Sequence, residues 1–297
     1  MNDGEILALL GPSGEGKTTL IKCVYGLEDI TEGEILFNDQ KVLGPSYNLI
    51  PGYPDMKLVS QDYYVLDNHS VEENIKDMLI GFTDEYKDKR CRKILKLLEL
   101  ESIKHLKAKH LSSGQKQRVA IARALTAFPK LLLLDEPFSN LDKVLKDKLF
   151  DFIIQEAHKK HCGVILITHQ AEEALKYSDR IGVMINGKIA QMGVKESVYY
   201  KPRNLKIAKI LGDYNVIDHT DFEKHSAYYK SKKRTLLRPN QFYDCQKKDA
   251  DIVVTILNCF FNGKCYELFA QTKTGADIII YYHHTKPKDS QMYVRID

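Results

Sequence analysis

Residues 11–19 read GPSGEGKTT and decide the fold, because they fit the pattern G-x-x-x-x-G-K-[ST] in full. The apolar run EILALL directly before them predicts a buried parallel strand. The run TTLIKCVYG after them has apolar residues at helical spacing and ends at Gly26, which predicts a helix with a glycine C-cap. Strand, glycine-rich loop and helix form the context in which this motif binds phosphate.

The loop has the chemistry of an anion site. Glycine permits the backbone conformations in which successive N–H groups point into one concavity, and a helix N-terminus adds partial positive charge. Lys17 then supplies a compact charge to the β- and γ-phosphates, and Thr18 offers a hydroxyl to Mg²⁺. The remaining predicted binding residues are Gly11, Pro12, Ser13, Gly14, Glu15, Gly16 and Thr19. A structural turn with a solvated lysine is the alternative, and the flanking strand and helix disfavour it.

The composition is that of an ordinary globular protein. The 297 residues allow one large and one small domain, and a net charge of +4 is too small to indicate nucleic-acid binding. No apolar run approaches the roughly 18 residues that span a membrane. The six cysteines are scattered without a CxxC pair, which indicates reduced thiols rather than disulfides or a zinc site.

The order of elements predicts an α/β fold of the P-loop NTPase type, with a RecA-like core and a mostly parallel sheet. Apolar strands alternate with helices from residue 5 to residue 184, as in a parallel sheet covered by helices. A helical subdomain is predicted over about residues 70–125, where Ser70 opens a capping box. The pattern is helical and strongly basic over residues 71–109. A solvated helical face is one interpretation of these charges, and a docking surface is the other.

Polar residues follow several of the predicted strands, at the edge where open α/β sheets bind ligands. Asp135 can orient Mg²⁺ or its water, and the adjacent Glu136 can polarise a water for attack on the γ-phosphate. Gln61 offers an amide oxygen to the metal or the water. His169 can donate to the γ-phosphate or hold the attacking water. Singly, such residues are often helix caps or loop residues, but their order after a complete phosphate loop favours the functional interpretation.

These motifs together resemble the ATP-binding subunits of ABC transporters. GPSGEGKT is similar to the Walker A motif, LLLLDEP to the Walker B with its following glutamate, and SNLD, which includes Asp142, to the D-loop. Gln61 corresponds to the Q-loop and His169 to the switch histidine. LSSGQKQRVAIARAL resembles the ABC signature, which separates this family from other P-loop proteins. The resemblance covers residue 11 to about residue 169 and implies ATP as substrate with Mg²⁺.

The signature resemblance also implies a dimer. Its residues Ser112, Ser113, Gly114 and Gln115 would begin a helix, whose N-terminus is a second anion site. In the family this site binds the γ-phosphate held by a second subunit, so we expect a homodimer or pairing with a second ABC ATPase. Ser113 stands where the family usually has glycine, which could slightly impair the approach of the backbone to phosphate.

The start of the chain departs from the family pattern. Family members carry strands before the Walker A strand and an aromatic residue that stacks on adenine. Here ten residues precede Gly11 and none is aromatic. The sequence thus indicates either an N-terminal truncation, which we favour, or ATP binding without stacking. In both cases we expect a weakened affinity for the nucleotide.

The C-terminal part has a different composition. We predict an ATPase domain over residues 1–217 and a small OB-like (TOBE-type), β-barrel-like domain over residues 218–297. The prediction depends on five short strand patterns, on turn signals such as Asn262-Gly263, and on LLRPNQF, which resembles the entry to the TOBE domain of importer ATPases. A structural cap and a regulatory or ligand-sensing role remain equal interpretations of this domain.

The resemblance implies the ATP-hydrolysing subunit of an ABC importer, bound peripherally at the cytoplasmic face of the membrane. Its expected partners are transmembrane permease subunits and, indirectly, an external solute-binding protein; no nucleic acid is expected. The candidate permease contact is the groove below Gln61, formed by Tyr63, Tyr64, Val65 and Leu66. LGDYNVI slightly favours ferric ion or a polyamine as the transported substrate. The alternatives are an exporter ATPase, a soluble ABC ATPase acting on nucleic acid or ribosomes, and a catalytically inactive subunit.

Overall fold

The computed structural model describes residues 1–50, 52–53, 55–59, 64–138, 141–230 and 234–297. The chain divides into two compact units, Met1–Val198 and Tyr199–Asp297. No helix in these described ranges is both long and apolar enough to cross a bilayer.

A six-stranded sheet forms the centre of the first unit. Its strands are β1 (Ile6–Leu10), β4 (Met56–Val59), β5 (Leu131–Asp135), β6 (Gly163–Ile167), β7 (Arg180–Ile185) and β8 (Lys188–Val194). They lie in the order β4-β5-β6-β1-β7-β8, parallel throughout except for the antiparallel pair β7–β8. The predicted α/β fold with a mostly parallel sheet is therefore confirmed.

Helices alternate with these strands along the chain. They are α1 (Lys17–Tyr25), α2 (Val71–Lys76), α3 (Asp84–Leu97), α4 (Ser113–Thr126), α5 (Lys143–Lys160), α6 (Ala171–Tyr177) and α7 (Lys195–Tyr200). Every residue of β1 and β5 is buried, because helices pack on both faces of the sheet and apolar runs such as LLLLD satisfy both. Residues of α3, α4 and α5 contribute to one hydrophobic cluster, and Ile21 of α1 contributes to another.

The helical segment between β4 and β5 is interrupted where the sequence pattern looked continuous. Ser70 caps α2 in a capping box with Glu73, as predicted. The helical pattern over residues 71–109, however, breaks after α3, where Glu99 takes a positive φ of 57°. Only single 3₁₀ turns follow, at Glu101–Ile103 and Ala108–His110. A left-handed residue ends a helix whatever the polarity of the residues that follow.

Two hairpins form at turns of Asn, Asp or Gly residues with positive φ. Strands β2 (Leu36–Phe37) and β3 (Gln40–Lys41) pair around Asn38 and Asp39, which both have positive φ. Strands β7 and β8 pair around Asn186-Gly187 with positive φ at both residues, the geometry for which Asn-Gly is the preferred pair.

The second unit is built on an antiparallel sheet. Its strands are β9 (Asn215–Asp218), β10 (Arg234–Leu237), β11 (Phe242–Asp244), β12 (Ile252–Phe261), β13 (Tyr266–Thr272), β14 (Asp277–Tyr282) and β15 (Gln291–Ile296). Five of them lie in the order β11-β15-β12-β13-β14, and β9 pairs with β10. The sheet curls so that its opposite edges approach each other: Tyr282 of β14 donates a hydrogen bond to Asp244 of β11 at 3.0 Å. The barrel-like character is thus confirmed.

The division between the units falls before residue 199, whereas the sequence predicted it after residue 217. The physical reason is Arg238, whose side chain is fully buried. Its guanidinium donates to the carbonyl oxygens of Tyr199, Ala208, Gly212 and Asp213 at 2.9–3.1 Å. Helix α8 (Leu205–Ile210) and its flanks are thereby bound to the strands that follow.

We predict that Arg238→Met destabilises the second unit by about 3 kcal/mol, because it leaves several carbonyl oxygens without their charged donor. Hydrogen exchange of the α8 amides would measure this as faster local opening. Arg234→Met is the matched control, since Arg234 is exposed and its nearest carboxylate, that of Asp218, lies 3.8 Å away. Equal protection of α8 in the two variants would contradict the anchoring role of Arg238.

Candidate functional site

The glycine-rich loop between β1 and α1 has the backbone that its sequence predicts. Gly14 and Gly16 have positive φ values of 84° and 86°, and Gly16 is the N-cap of α1. Gly11 is required for another reason, since a Cβ at this position would lie 2.4 Å from the carbonyl oxygen of Met184. The close approach of β7 to the loop therefore excludes every side chain at residue 11.

Lys17 lies inside this loop. Its side chain is buried, and its Nζ donates to the carbonyl oxygens of Gly11 and Pro12 at 2.9 and 2.8 Å. Beside it is an open cavity of about 290 Å³. The cavity is lined by Ser13, Gly14, Gly16, Lys17, Thr18, Thr19 and Glu136. A buried ammonium group and the start of a nine-residue helix make this cavity attractive to phosphate.

Glu15 is an acidic residue inside a loop that attracts anions. Its Oε2 accepts a hydrogen bond from the backbone N–H of Gly187 at 3.1 Å. One carboxylate oxygen is thus engaged by the turn between β7 and β8, which ties the phosphate loop to that hairpin.

Asp135 ends β5 beside the first turn of α1. Its side chain is buried, and burial raises the pKa of its carboxyl group, against the opposing effects of a hydrogen bond with Thr18 and the charge of Lys17. Two of the three groups predicted to hold Mg²⁺, those of Thr18 and Asp135, are therefore in contact, and the third, Gln61, lies outside the described residues. Hard oxygen donors of this kind suit Mg²⁺, which takes few protein ligands and completes its shell with phosphate oxygens and water.

Glu136 has an unusual backbone. Its φ is 47°, a left-handed conformation that costs a non-glycine residue about 1–3 kcal/mol and persists only when its surroundings enforce it. Its N–H donates to the carbonyl oxygen of Ile167 at 3.1 Å. Its Oε2 lies 3.2 Å from Nδ1 of His169, so the structure brings the two predicted catalytic residues into contact at the edge of the cavity.

A set of contacts that sequence reasoning missed surrounds His169. The hydroxyl of Thr168 donates to Glu173 at 2.7 Å and accepts from the N–H of Gln170 at 3.0 Å. Glu173 also pairs with Lys146 of α5 at 2.6 Å. The loop that carries His169 is thereby tied to both α5 and α6. These residues are ordinary polar positions of amphipathic helices, so no sequence signal marked them.

The signature residues lie at the start of α4. Ser112 is the N-cap and forms a capping box with Gln115, while Ser113 and Gly114 open the helix. A Cβ at Gly114 would have no atom within 4 Å, so the surface there is open. None of these residues lines the cavity at Lys17, which is compatible with a role toward another subunit.

Other predicted residues have different outcomes. Asp142 is the N-cap of α5, where its Oδ1 accepts from the N–H of Leu145 at 3.0 Å, and this bond lowers the pKa of its carboxyl group. Gln61 and Tyr63, and the first two residues of the D-loop motif, lie outside the described residues. Within the described ranges no group of three or more His, Cys, Asp or Glu side chains could hold a metal ion.

Fold and site together define a P-loop nucleotide-binding protein, and comparison with known proteins narrows the class. Residues 1–139 match the ABC transporter family. The chain is 42% identical over 220 residues to the spermidine/putrescine import ATP-binding protein of Legionella pneumophila, covering 73% of this chain and 59% of that protein. It is 33% identical to the protein of the same name from Clostridioides difficile, over 89% of this chain and 80% of that protein. The Fe(3+) ions import ATP-binding protein of Haemophilus influenzae is 34% identical, over 80% of this chain and 71% of that protein.

A solved structure agrees with these relatives. The ATP-binding cassette MJ0796, in a dimeric post-hydrolysis state bound to ADP and Pi, superposes with a TM-score of 0.57 at 27% identity and covers 66% of this chain and 87% of its own. The chain belongs to the ABC transporter family, and the relatives given above are named as import ATP-binding proteins. It spans 59–61% of the length of the first relatives it matches.

We predict that Asp135→Asn raises the free energy of unfolding at pH 7 by about 1 kcal/mol, a usual gain at a destabilised functional position. The folded pKa of Asp135 is raised, so the carboxyl's contribution to stability is present below its unfolded pKa of about 4 and is lost as pH rises through the folded value. The gain should therefore shrink toward pH 4 in urea unfolding. A gain that is the same at pH 4 and pH 7 would contradict this account.

Proposed function

We propose that this protein hydrolyses ATP as the ATPase subunit of an ABC importer. The observation that carries the proposal is a cavity at the carboxyl edge of the sheet that is lined by Lys17, Thr18 and Glu136 among others. Asp135 forms a hydrogen bond with Thr18 of this lining, and His169 lies 3.2 Å from Glu136. Phosphate binding alone needs only the loop and Lys17. A carboxylate at the cavity, paired with a histidine, is what hydrolysis adds.

Each residue has a role that its surroundings support. The P-loop N–H groups and Lys17 bind the β- and γ-phosphates, and Thr18 and Asp135 would hold Mg²⁺. When bound, Mg²⁺ supplies charge neutralisation at the phosphate oxygens. Glu136 orients the attacking water and accepts its proton, and His169 holds the Glu136 carboxylate in place from 3.2 Å. Gln61 stays assigned to the metal or the water.

The signature helix supports a dimeric site. Helix α4 has 14 residues. Its N-terminus at Ser113 and Gly114 has open space at Gly114, and neither residue lines the cavity of its own chain. We assign it, with Asp142 of the D-loop, to the ATP held by a second subunit. The dimeric state of the ATP-binding cassette with ADP and Pi supports this assignment. A homodimer is the simplest form, and pairing with a second ABC ATPase is the other.

The permease would bind an exposed apolar surface of the helical segment, which we call the docking patch and define as Tyr64, Ile80, Phe82 and Tyr86. Tyr64 and Ile80 are 72% and 79% exposed. Phe82 and Tyr86 stack at 4.9 Å, and Arg123 of the signature helix lies over the Tyr64 ring at 5.8 Å. The patch therefore touches α4, so a permease bound there could move the signature. Binding at this patch would place the chain peripherally at the cytoplasmic face of the membrane.

The backbone beside the patch is firmly held. The buried Asn74 exchanges two hydrogen bonds with the backbone of Leu66, at 2.8 and 3.0 Å. The predicted groove residues Val65 and Leu66 are half-buried, whereas Tyr63 lies outside the described residues. We therefore assign Tyr64 as the exposed contact of the groove.

For the transported solute we propose a polyamine, with ferric ion second. Relatives named for spermidine and putrescine share 39–42% identity over 220–231 residues in five cases and 33% over 280 residues in a sixth. The relatives named for Fe(3+) ions and, from Synechocystis, for sulfate/thiosulfate import share 34% over 255 and 264 residues, so the number of polyamine-named relatives, and not a uniformly higher identity, supports this proposal. Recognition of the solute would belong to the permease and an external solute-binding protein.

Replacement of Glu136 by Gln should lower kcat for ATP hydrolysis by about 10²–10⁴-fold, the usual contribution of a general base. The affinity for MgATP should be kept, because Lys17 and the loop are unchanged. Steady-state hydrolysis and equilibrium binding by fluorescent ATP would measure the two effects. The wild-type rate in Glu136→Gln would refute the proposed catalytic role.

Alanine replacement of Tyr64 and Phe82 together should abolish solute transport in proteoliposomes that contain the permease, while basal hydrolysis in solution stays at the wild-type level. Both side chains are exposed and neither lines the ATP cavity. Tyr243→Ala is the control, since Tyr243 is an exposed tyrosine of the C-terminal unit. Transport at the wild-type rate by the double variant would rule out the docking patch.

A further inference from the structure

Gln117 is a polar side chain in an apolar place. It lies on α4 within the LSSGQKQRVAIARAL stretch, two residues beyond Gln115, and its side chain is fully buried. Its neighbours on the helix, Val119 and Ile121, belong to the large hydrophobic cluster of this unit. A buried amide is costly unless its polar atoms are paired. Its presence here therefore calls for a specific partner.

That partner is the loop of the catalytic glutamate. Nε2 of Gln117 donates to the carbonyl oxygen of Pro137 at 2.8 Å, and both groups are buried. Among the residues that the structure describes, Oε1 of Gln117 accepts no hydrogen bond. The side chain thus keeps one polar atom unsatisfied while it holds the residue next to Glu136.

Glu136 needs such a restraint on each side. Its left-handed φ of 47° is held on one side by its own N–H, which donates to the carbonyl oxygen of Ile167. On the other side, the carbonyl oxygen of Pro137 accepts a hydrogen bond from Gln117. The ring of Phe138 packs against that of Phe150 with 4.8 Å between the ring centroids. Of these restraints, the bond from Gln117 is the one that comes from the signature helix.

We propose that Gln117 is a positioning residue for hydrolysis, which holds the Glu136 carboxylate in its productive orientation from the signature helix. The inference rests on the proposed catalytic role of Glu136. Since α4 begins with Ser113 and Gly114, any shift of the signature against a partner's ATP is transmitted along one rigid helix to the backbone beside Glu136. One chain thereby links the state of the site it completes to the chemistry of the site it contains.

Replacement of Gln117 by Met removes the donor and keeps the length and volume of the side chain. We expect kcat of the full chain to fall about 10- to 100-fold, because a misplacement of about 1 Å at a catalytic group can cost 10²-fold. KM for MgATP should be unchanged, since Gln117 does not line the cavity at Lys17. Gln117→Leu, which also lacks a donor, should show the same split between kcat and KM.

The control is Thr126→Val on the same helix. Thr126 is equally buried, but its hydroxyl bonds only within the helix, to the carbonyl oxygen of Ala122. It should keep the wild-type kcat and KM, whatever its effect on the thermal unfolding midpoint. If Thr126→Val loses as much kcat as Gln117→Met at a similar fall in midpoint, the role of Gln117 is merely structural and the proposal is overturned.

Glu136→Gln separates this inference from the function on which it rests. Hydrolysis by Glu136→Gln at the wild-type rate would overturn both. An inactive Glu136→Gln together with wild-type kcat in both Gln117 variants would leave the proposed function intact and overturn the positioning role. The positioning role would be supported if both Gln117 variants lose kcat without a change in KM while Thr126→Val keeps the wild-type kcat and KM.

Discussion

The parallel register of three strands is the constraint on which the site depends. Ile167 of β6 pairs with Leu9 of β1 on one side and with Asp135 of β5 on the other. The three strands therefore end at the same level, and the chain leaves them as the P-loop, the Glu136 turn and the His169 loop. Because β1 lies between β6 and β7, residues that are far apart in sequence meet at one edge of the sheet.

Close packing at this edge of the sheet buries the charged groups of the site and so strengthens their electrostatic interactions. The contact of residue 11 with Met184 seats the loop against β7, and burial then gives the charge of Lys17 its strength, because a buried charge is little screened by solvent. The same burial raises the pKa of Asp135. The carboxylate is thus held where folding alone would not favour it, which is characteristic of groups whose partner is a ligand.

The helical segment adds a mechanical connection to this chemistry. Helix α4 carries the signature at its start, contacts the loop of Glu136 through Gln117, and lies over Tyr64 through Arg123. One helix therefore touches the surface assigned to the permease, the surface assigned to a partner's ATP, and the backbone of Pro137, the residue after the glutamate proposed as catalytic.

The sequence by itself determined most of the elements and their order, but not the break in the helical pattern after α3. The P-loop, the capping boxes at Ser70 and Ser112 and the hairpin at Asn186-Gly187 follow from local rules, since backbone conformation and capping depend on neighbouring residues. The extended motif series also identified the family. Tertiary structure alone decided which distant residues meet. The buried bonds of Gln117 and Arg238, the contacts of Glu173 and the division before residue 199 depend on side chains that look ordinary in sequence. A buried polar group is specified by its partner across the fold, and a one-dimensional pattern does not contain that partner.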